Sequence, residues 1–321
     1  GLVSRRVERT IVTGPMIFTL AGILVASALP ELTQVQLELK PVVVFSEVAL
    51  ALVLFTDATR IRLRSLLHAT LAQRLLAIGM PLTIVAGATV AALLLSDLTD
   101  WEAAILATIL APTDAGLGQV GVNNPRIPAR IRQALNIEAG LNDGISLPFL
   151  MLFVALAIAD PGVGRFVWIS YTVKQIGFGL LIGLAIGWLG GWLLHHTAKR
   201  HWMTETFQQL SLLCLALLAW GLAEQMGGNG FIAAFVGGVF VKVGFEQASE
   251  HMVEFIEAWG QLLSFAVFYL FGMLAAPDLA QFSAVIVLYA LLSLTLVRMV
   301  PVAVSLVGTR LKPASVLFLG W

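Results

Sequence analysis

Apolar residues fall in blocks of about twenty along this chain, separated by short polar or basic connections, and a helix of that length crosses the ~30 Å hydrocarbon core of a bilayer. The pattern predicts an all-α, polytopic membrane protein with ten spans, at approximately 10–29, 41–59, 71–95, 102–122, 131–158, 166–195, 205–226, 229–248, 255–276 and 282–308. A further span begins near Ala314 and is cut off at Trp321. Between the first two spans, residues 31–40 read as a short polar or amphipathic linker, and Arg60-Ile-Arg-Leu-Arg64 is a basic juxtamembrane anchor.

Composition agrees with that reading. The chain is 59% hydrophobic and 12% charged, where a soluble domain carries about 25% charged residues. Net charge is zero, yet the basic residues are sorted. With a cytoplasmic N-terminus, fifteen of them face inward, and only Lys40, Arg165 and Lys174 face outward, leaving Arg298 inside a span. Such asymmetry is what the positive-inside rule demands. Cys214 is alone, so no internal disulfide forms. No signal peptide and no Gly-x-x-x-x-Gly-Lys nucleotide loop is visible, which argues against an ATP-driven pump on this chain.

The chemistry lies with charges at membrane depth. A carboxylate there costs roughly 2.5–3.5 kcal/mol on insertion scales and marks a functional site by default. Asn142 and Asp143 sit in the run Asn136-Ile-Glu-Ala-Gly-Leu-Asn-Asp-Gly-Ile-Ser146, and Asp114 sits in Ala111-Pro-Thr-Asp-Ala-Gly-Leu-Gly118. Pro112 removes a backbone donor, and Gly116, Gly118 and Gly121 loosen the turns after it, so a broken helix is expected. Broken helices near the midplane recur as ion sites in secondary transporters. Arg298 stays protonated and must find an acceptor, for which Glu138 is the expected partner. Glu138 precedes Asp143 by five residues, about 140° around a helix, so the two acids meet different neighbours. Glu138 and Arg298 are therefore read as a structural ion pair and Asp143 as the titrating group. Asp57 and Glu224 read as structural or interfacial. His195, His196 and His201 read as residues of a cytoplasmic helix end. The stretch Gly228-Asn-Gly-Phe-Ile-Ala-Ala-Phe-Val-Gly-Gly238 suits close helix packing.

Together these stretches resemble sodium/proton antiporters of the monovalent cation:proton antiporter superfamily, in the branch with an Asn-Asp pair. Thr113-Asp114 matches the Thr-Asp of that family's unwound crossing helix. Glu138-Ala-Gly-Leu-Asn-Asp143 matches its Glu-Ser-x-x-Asn-Asp, residues 228–238 match its glycine-rich helix, and Arg298 sits like the arginine paired with its glutamate. The resemblance implies an inverted-repeat fold of thirteen helices with a dimerisation domain and a mobile core. On that pattern 71–158 and 282–321 belong to the ion-transporting core, and 10–59 and 166–276 to scaffold and dimerisation helices. It also implies elevator-like alternating access, a homodimer, and electroneutral one-for-one exchange, since Asn142 replaces a second titrating acid. The ligands for Na+ or another alkali cation would be Asp143, Thr113, the Asp114 region and Glu47, with Asn142 beside them; no cofactor, enzyme activity or nucleic-acid partner is implied. The setting would be a prokaryotic cell membrane.

Two departures stand out. Ala139 replaces the family's Ser, which removes a hydroxyl ligand. Against the family, the chain reads as truncated at both ends: it begins after the first helix and stops where the second crossing helix should start. A K+ efflux module of the same superfamily is the nearest alternative. A transport-incompetent sensor or scaffold would not need to keep the buried acids, and an intramembrane hydrolase shares only the number of aspartates.

Overall fold

The computed structural model describes residues 13–29, 39–61, 69–113, 127–159, 165–245 and 250–320. Among them every element is helical. In chain order these are α1 (Gly14–Ala28), α2 (Leu39–Thr59), α3 (Thr70–Arg74), α4 (Met80–Leu94), α5 (Asp100–Leu110), α6 (Ala129–Ala157) and α7 (Arg165–Lys199). They continue with α8 (Glu205–Gln225), α9 (Gly230–Gly244), α10 (Glu250–Ala275), α11 (Ala284–Leu294), α12 (Leu296–Ser305) and α13 (Pro313–Gly320). Seven of the described helical stretches are long and apolar enough to cross a membrane.

Local sequence explains the helix ends and breaks. At α5, Thr99 and Glu102 form a reciprocal capping box, with the Thr99 N–H donating to the Glu102 carboxylate at 2.8 Å and the Glu102 N–H to the Thr99 hydroxyl at 3.3 Å. Asn229 caps α9 by accepting the Ile232 N–H at 2.9 Å. Between α3 and α4 the helix widens into a π-turn over Leu75–Gly79, where the Met80 N–H reaches back to the Leu75 carbonyl. Pro81 comes next; its ring would collide with an α-helical carbonyl four residues back, and the wider turn makes room.

The apolar block at 282–308 reads as one span, but the chain breaks at Thr295, where φ is −118° and ψ −94°. The Thr295 hydroxyl donates to the Leu291 carbonyl at 2.6 Å, and its N–H bonds to Leu292 rather than keeping the α-helical pattern. Such back-bonding by threonine bends helices. Hydropathy is blind to it because Thr295 is flanked by apolar residues on both sides. The far end of α12 is held by Arg74, whose Nη1 donates to the Val307 carbonyl at 2.6 Å and the Ser305 carbonyl at 3.4 Å.

Small residues set how the helices pack. Gly179, Gly183, Gly187 and Gly191 recur every fourth position on α7 and face the carbonyls of Asn229, Ala233, Gly237 and Val241 on α9. A methyl on any of the four would fall within 3.0 Å of one of those oxygens, so the two backbones meet directly. On a neighbouring face of α9, Gly238 presses against the Phe55 carbonyl of α2. Gly22 of α1 and Gly272 of α10 pack reciprocally, each against the other helix's backbone. Elsewhere, Gly87 of α4 meets Ala107 of α5 and Val297 of α12, and the buried Tyr289 of α11 donates to the Gly87 carbonyl at 3.4 Å. The end of α5 before Pro112 and the break before α12 at Thr295 both belong to this second group of helices.

Candidate functional site

The site is organised by the end of α5. Pro112 removes a backbone donor and crowds the preceding turn, and α5 stops at Leu110, so that Ala111, Pro112 and Thr113 lie beyond its end. Carbonyls released in this way need new donors when buried. Two side chains from distant helices supply them. Arg298 Nη1 donates to the Ala111 carbonyl at 3.0 Å, and Asn142 Nδ2 donates to the Thr113 carbonyl at 2.7 Å.

The Thr113 hydroxyl then becomes the hub. It lies 3.3 Å from each Glu138 carboxylate oxygen, to which it can donate. It accepts from Asn142 Nδ2 at 3.3 Å and from Arg298 Nη2 at 3.4 Å. Arg298 Nη2 also meets Glu138 Oε1 at 2.9 Å, an ion pair at membrane depth. Glu138 and Asn142 are 6% and 1% exposed and lie one turn apart on α6, so both face Thr113 at the end of α5. Arg298 comes from the first turn of α12, directly after the break at Thr295.

Asp143 is half-buried, on a different face of α6 from Glu138. Its main-chain N–H meets Asn142 Oδ1 at 2.7 Å, and its carbonyl accepts from the Ser146 hydroxyl at 2.8 Å. Pro148, inside the same helix, removes the N–H that would have bonded the Gly144 carbonyl, leaving a second loosened turn beside the acid. Ser146 and Pro148 were not singled out by sequence reasoning, although a proline four residues after Gly144 is a readable signal.

The structure thus brings together Thr113, Glu138, Asn142 and Arg298, with Asp143 adjacent to Asn142. Asp114 lies outside the described residues. Glu47 is half-buried on α2, and among the described residues no hydrogen bond joins it to the cluster. Glu224 is spent locally, accepting the Gly230 N–H at 2.8 Å at the start of α9. His195 and His196 make ring contacts with Phe245 and Trp192, away from these acids.

This geometry, a helix end before Pro112 held by an Asn, a Thr and a buried Arg–Glu pair, coincides with a family match over the whole chain. Residues 1–321 match the family model described as sodium/hydrogen exchanger, transmembrane, and the chain belongs to that family. It is a multi-pass integral membrane protein. Among relatives, a K(+)/H(+) antiporter NhaP2 of Shewanella oneidensis is 25% identical over 237 residues, which cover 73% of this chain and 40% of that protein. A Na(+)/H(+) antiporter 2 of Zygosaccharomyces rouxii is 27% identical over 214 residues, 63% of this chain and 26% of its own length. The chain therefore matches less than half the length of these relatives. The solved sodium proton antiporter MjNhaP1 of Methanocaldococcus jannaschii superposes with a TM-score of 0.77 at 20% identity, over 99% of this chain and 80% of that one, and so shares its fold.

Proposed function

We propose that the protein to which this chain belongs is a secondary antiporter exchanging a monovalent cation for protons. The observation that carries the reading is the separation of two acids on one helix. Glu138 is buried and paired with Arg298, while Asp143 lies half-buried on another face of α6, next in sequence to the Asn142 that holds the Thr113 carbonyl. A carboxylate locked to an arginine is a poor carrier of exchangeable ions, so the proton-for-cation trade falls to Asp143. Thr113 and the main-chain oxygens of the break offer the hard oxygen ligands that an alkali ion prefers.

One titrating carboxylate trades one proton for one monovalent cation, which makes the exchange electroneutral; Asn142 adds no second proton. Asn142 serves the site by holding the Thr113 carbonyl. The cargo is Na+ in the first reading. K+ is the second, favoured by the relative whose name specifies K(+)/H(+) exchange. In this proposal α3–α6 and α11–α13 form the moving ion-transporting core, α1–α2 and α7–α10 the scaffold, and the scaffold supports a homodimer in a cell membrane with the N-terminal side cytoplasmic.

The test is pH-gradient dequenching in proteoliposomes of the full-length protein, adding Na+, K+ and Li+ in turn. Cation-dependent dequenching is expected, and Asp143→Asn should abolish it. A wild type that fails to respond to any of the three cations would sink the antiport reading, and full activity in Asp143→Asn would show that another group carries the proton.

A further inference from the structure

We propose that Phe235, on α9, is a positioning residue for the Asp143 site and sets how large a cation the site admits; this rests on the antiport reading above. Phe235 belongs to a helix that supplies no member of the polar cluster. Its ring nevertheless lies against α6 at Gly144, the residue immediately after Asp143. A methyl added at Gly144 would fall within 3.0 Å of three atoms of that ring, so the site helix leaves a slot there that the aromatic ring fills. Phe235 also joins the apolar clusters that contain Leu141 and Leu147, three residues to either side of Gly144 on α6.

The wall is firm. Behind Phe235, α9 is seated against α7 through the ladder of Gly179, Gly183, Gly187 and Gly191, where backbone meets backbone. One turn further on, Gly238 is pressed on the Phe55 carbonyl of α2. Asn229 and Glu224 fix the start of α9 through the Ile232 and Gly230 N–H groups. The helix has little freedom to back away from α6. The bulk of the ring at 235 consequently fixes how closely α9 approaches the Asp143–Gly144 turn. That turn is already loosened by Pro148, so it conforms to the wall instead of displacing it.

Cation selectivity depends on the size of the cavity and on the number and field of its oxygen ligands. A smaller side chain at 235 leaves the ligands of the site in place and enlarges the space beside them, which favours larger or partly hydrated ions. A larger side chain at 144 forces the ring and the site turn apart.

The experiment measures dequenching kinetics of the full-length protein in proteoliposomes with Li+, Na+ and K+ for wild type, Phe235→Ala, Gly144→Ala and the double variant. Because displacement of a reacting group by about 1 Å can cost on the order of 100-fold, Gly144→Ala is expected to lower Vmax/KM roughly tenfold or more. Phe235→Ala is expected to shift the ratio of KM values toward the larger cations, and adding it to Gly144→Ala should restore most of the lost activity. Unchanged cation ratios in Phe235→Ala, or no rescue in the double variant, would overturn the proposal. Both results require an active wild type, whereas failure of the antiport reading shows as an inactive one. Detergent-solubilised size-exclusion profiles separate misfolding from either outcome, and Phe235→Leu, which keeps an apolar fill, is expected to give an intermediate ratio; a ratio identical to wild type there and in Phe235→Ala counts against the proposal.

Discussion

Arg298 serves three partners in the site, and its geometry shows why lysine could not replace it. One guanidinium nitrogen takes the Ala111 carbonyl, and the other takes Glu138 and the Thr113 hydroxyl. A planar fork with fixed donors can serve two partners at once, and a point charge cannot. Removing only one member of such a pair strands a buried charge, which costs about 3–5 kcal/mol. Glu138→Gln should therefore lower thermal stability in detergent by an amount of that order. In a double-mutant cycle with Arg298→Met, the two losses should fall short of adding by about 0.5–3 kcal/mol. A Glu138→Gln protein as stable as wild type would remove the ion pair from the account. The need for an acceptor made this pairing readable from the chain alone, since an intramembrane arginine has few acids to choose from. Asn142's partner was not readable. It is a main-chain carbonyl, at Thr113, three residues past the end of α5, and no side-chain pattern announces it.

At the scale of helices, the blocks of apolar residues located the spans, while the joints between them came from single polar or small residues. The π-turn before Pro81 and the break at Thr295 both sit inside unbroken hydropathy. The glycine-rich stretch at 228–238 reads as a packing surface, yet its partner is the four-residue glycine repeat on α7, where apolar neighbours hide it. The geometry separates two classes of glycine, and they predict opposite signs. At Gly183 a methyl group meets the Ala233 backbone, so Gly183→Ala must push two helices apart, and overpacking of this kind costs about 1–3 kcal/mol. Gly177, on the same helix, has nothing within 4 Å of the same added atom. There Gly177→Ala only removes backbone freedom from the unfolded chain and should stabilise by about 0.5–1 kcal/mol. Thermal melts of the two variants in one detergent should move in opposite directions, and a shared sign would show that α7 and α9 do not meet backbone to backbone.

At the scale of the whole molecule, the proposed exchange needs Asp143 to face one side of the membrane and then the other. If α6 moves with α3–α5 and α11–α13 past a scaffold that includes α2 and α7–α10, a covalent tie across that boundary must stop it, and a tie within the scaffold must not. Two pairs of positions make the comparison. Gly140 on α6 lies against Ile61, just beyond α2, with an added Cβ 3.4 Å from Ile61 Cγ1. Within the scaffold, a Cβ on Gly237 of α9 would lie 3.5 Å from that of Ala219 on α8. Disulfides form when Cβ atoms are about 3.5–4.5 Å apart, which the second pair meets, while at the first the near atom is Ile61 Cγ1, the position a cysteine Sγ would take. In a Cys214→Ala background, Ile61→Cys/Gly140→Cys should lose cation-dependent dequenching on oxidation and regain it with reductant. Ala219→Cys/Gly237→Cys should keep its activity in both states. Activity retained with the first pair fully oxidised would mean that α6 does not slide past α2, and the access change would then have to come from a smaller motion, confined to the broken helix and the turn loosened by Pro148.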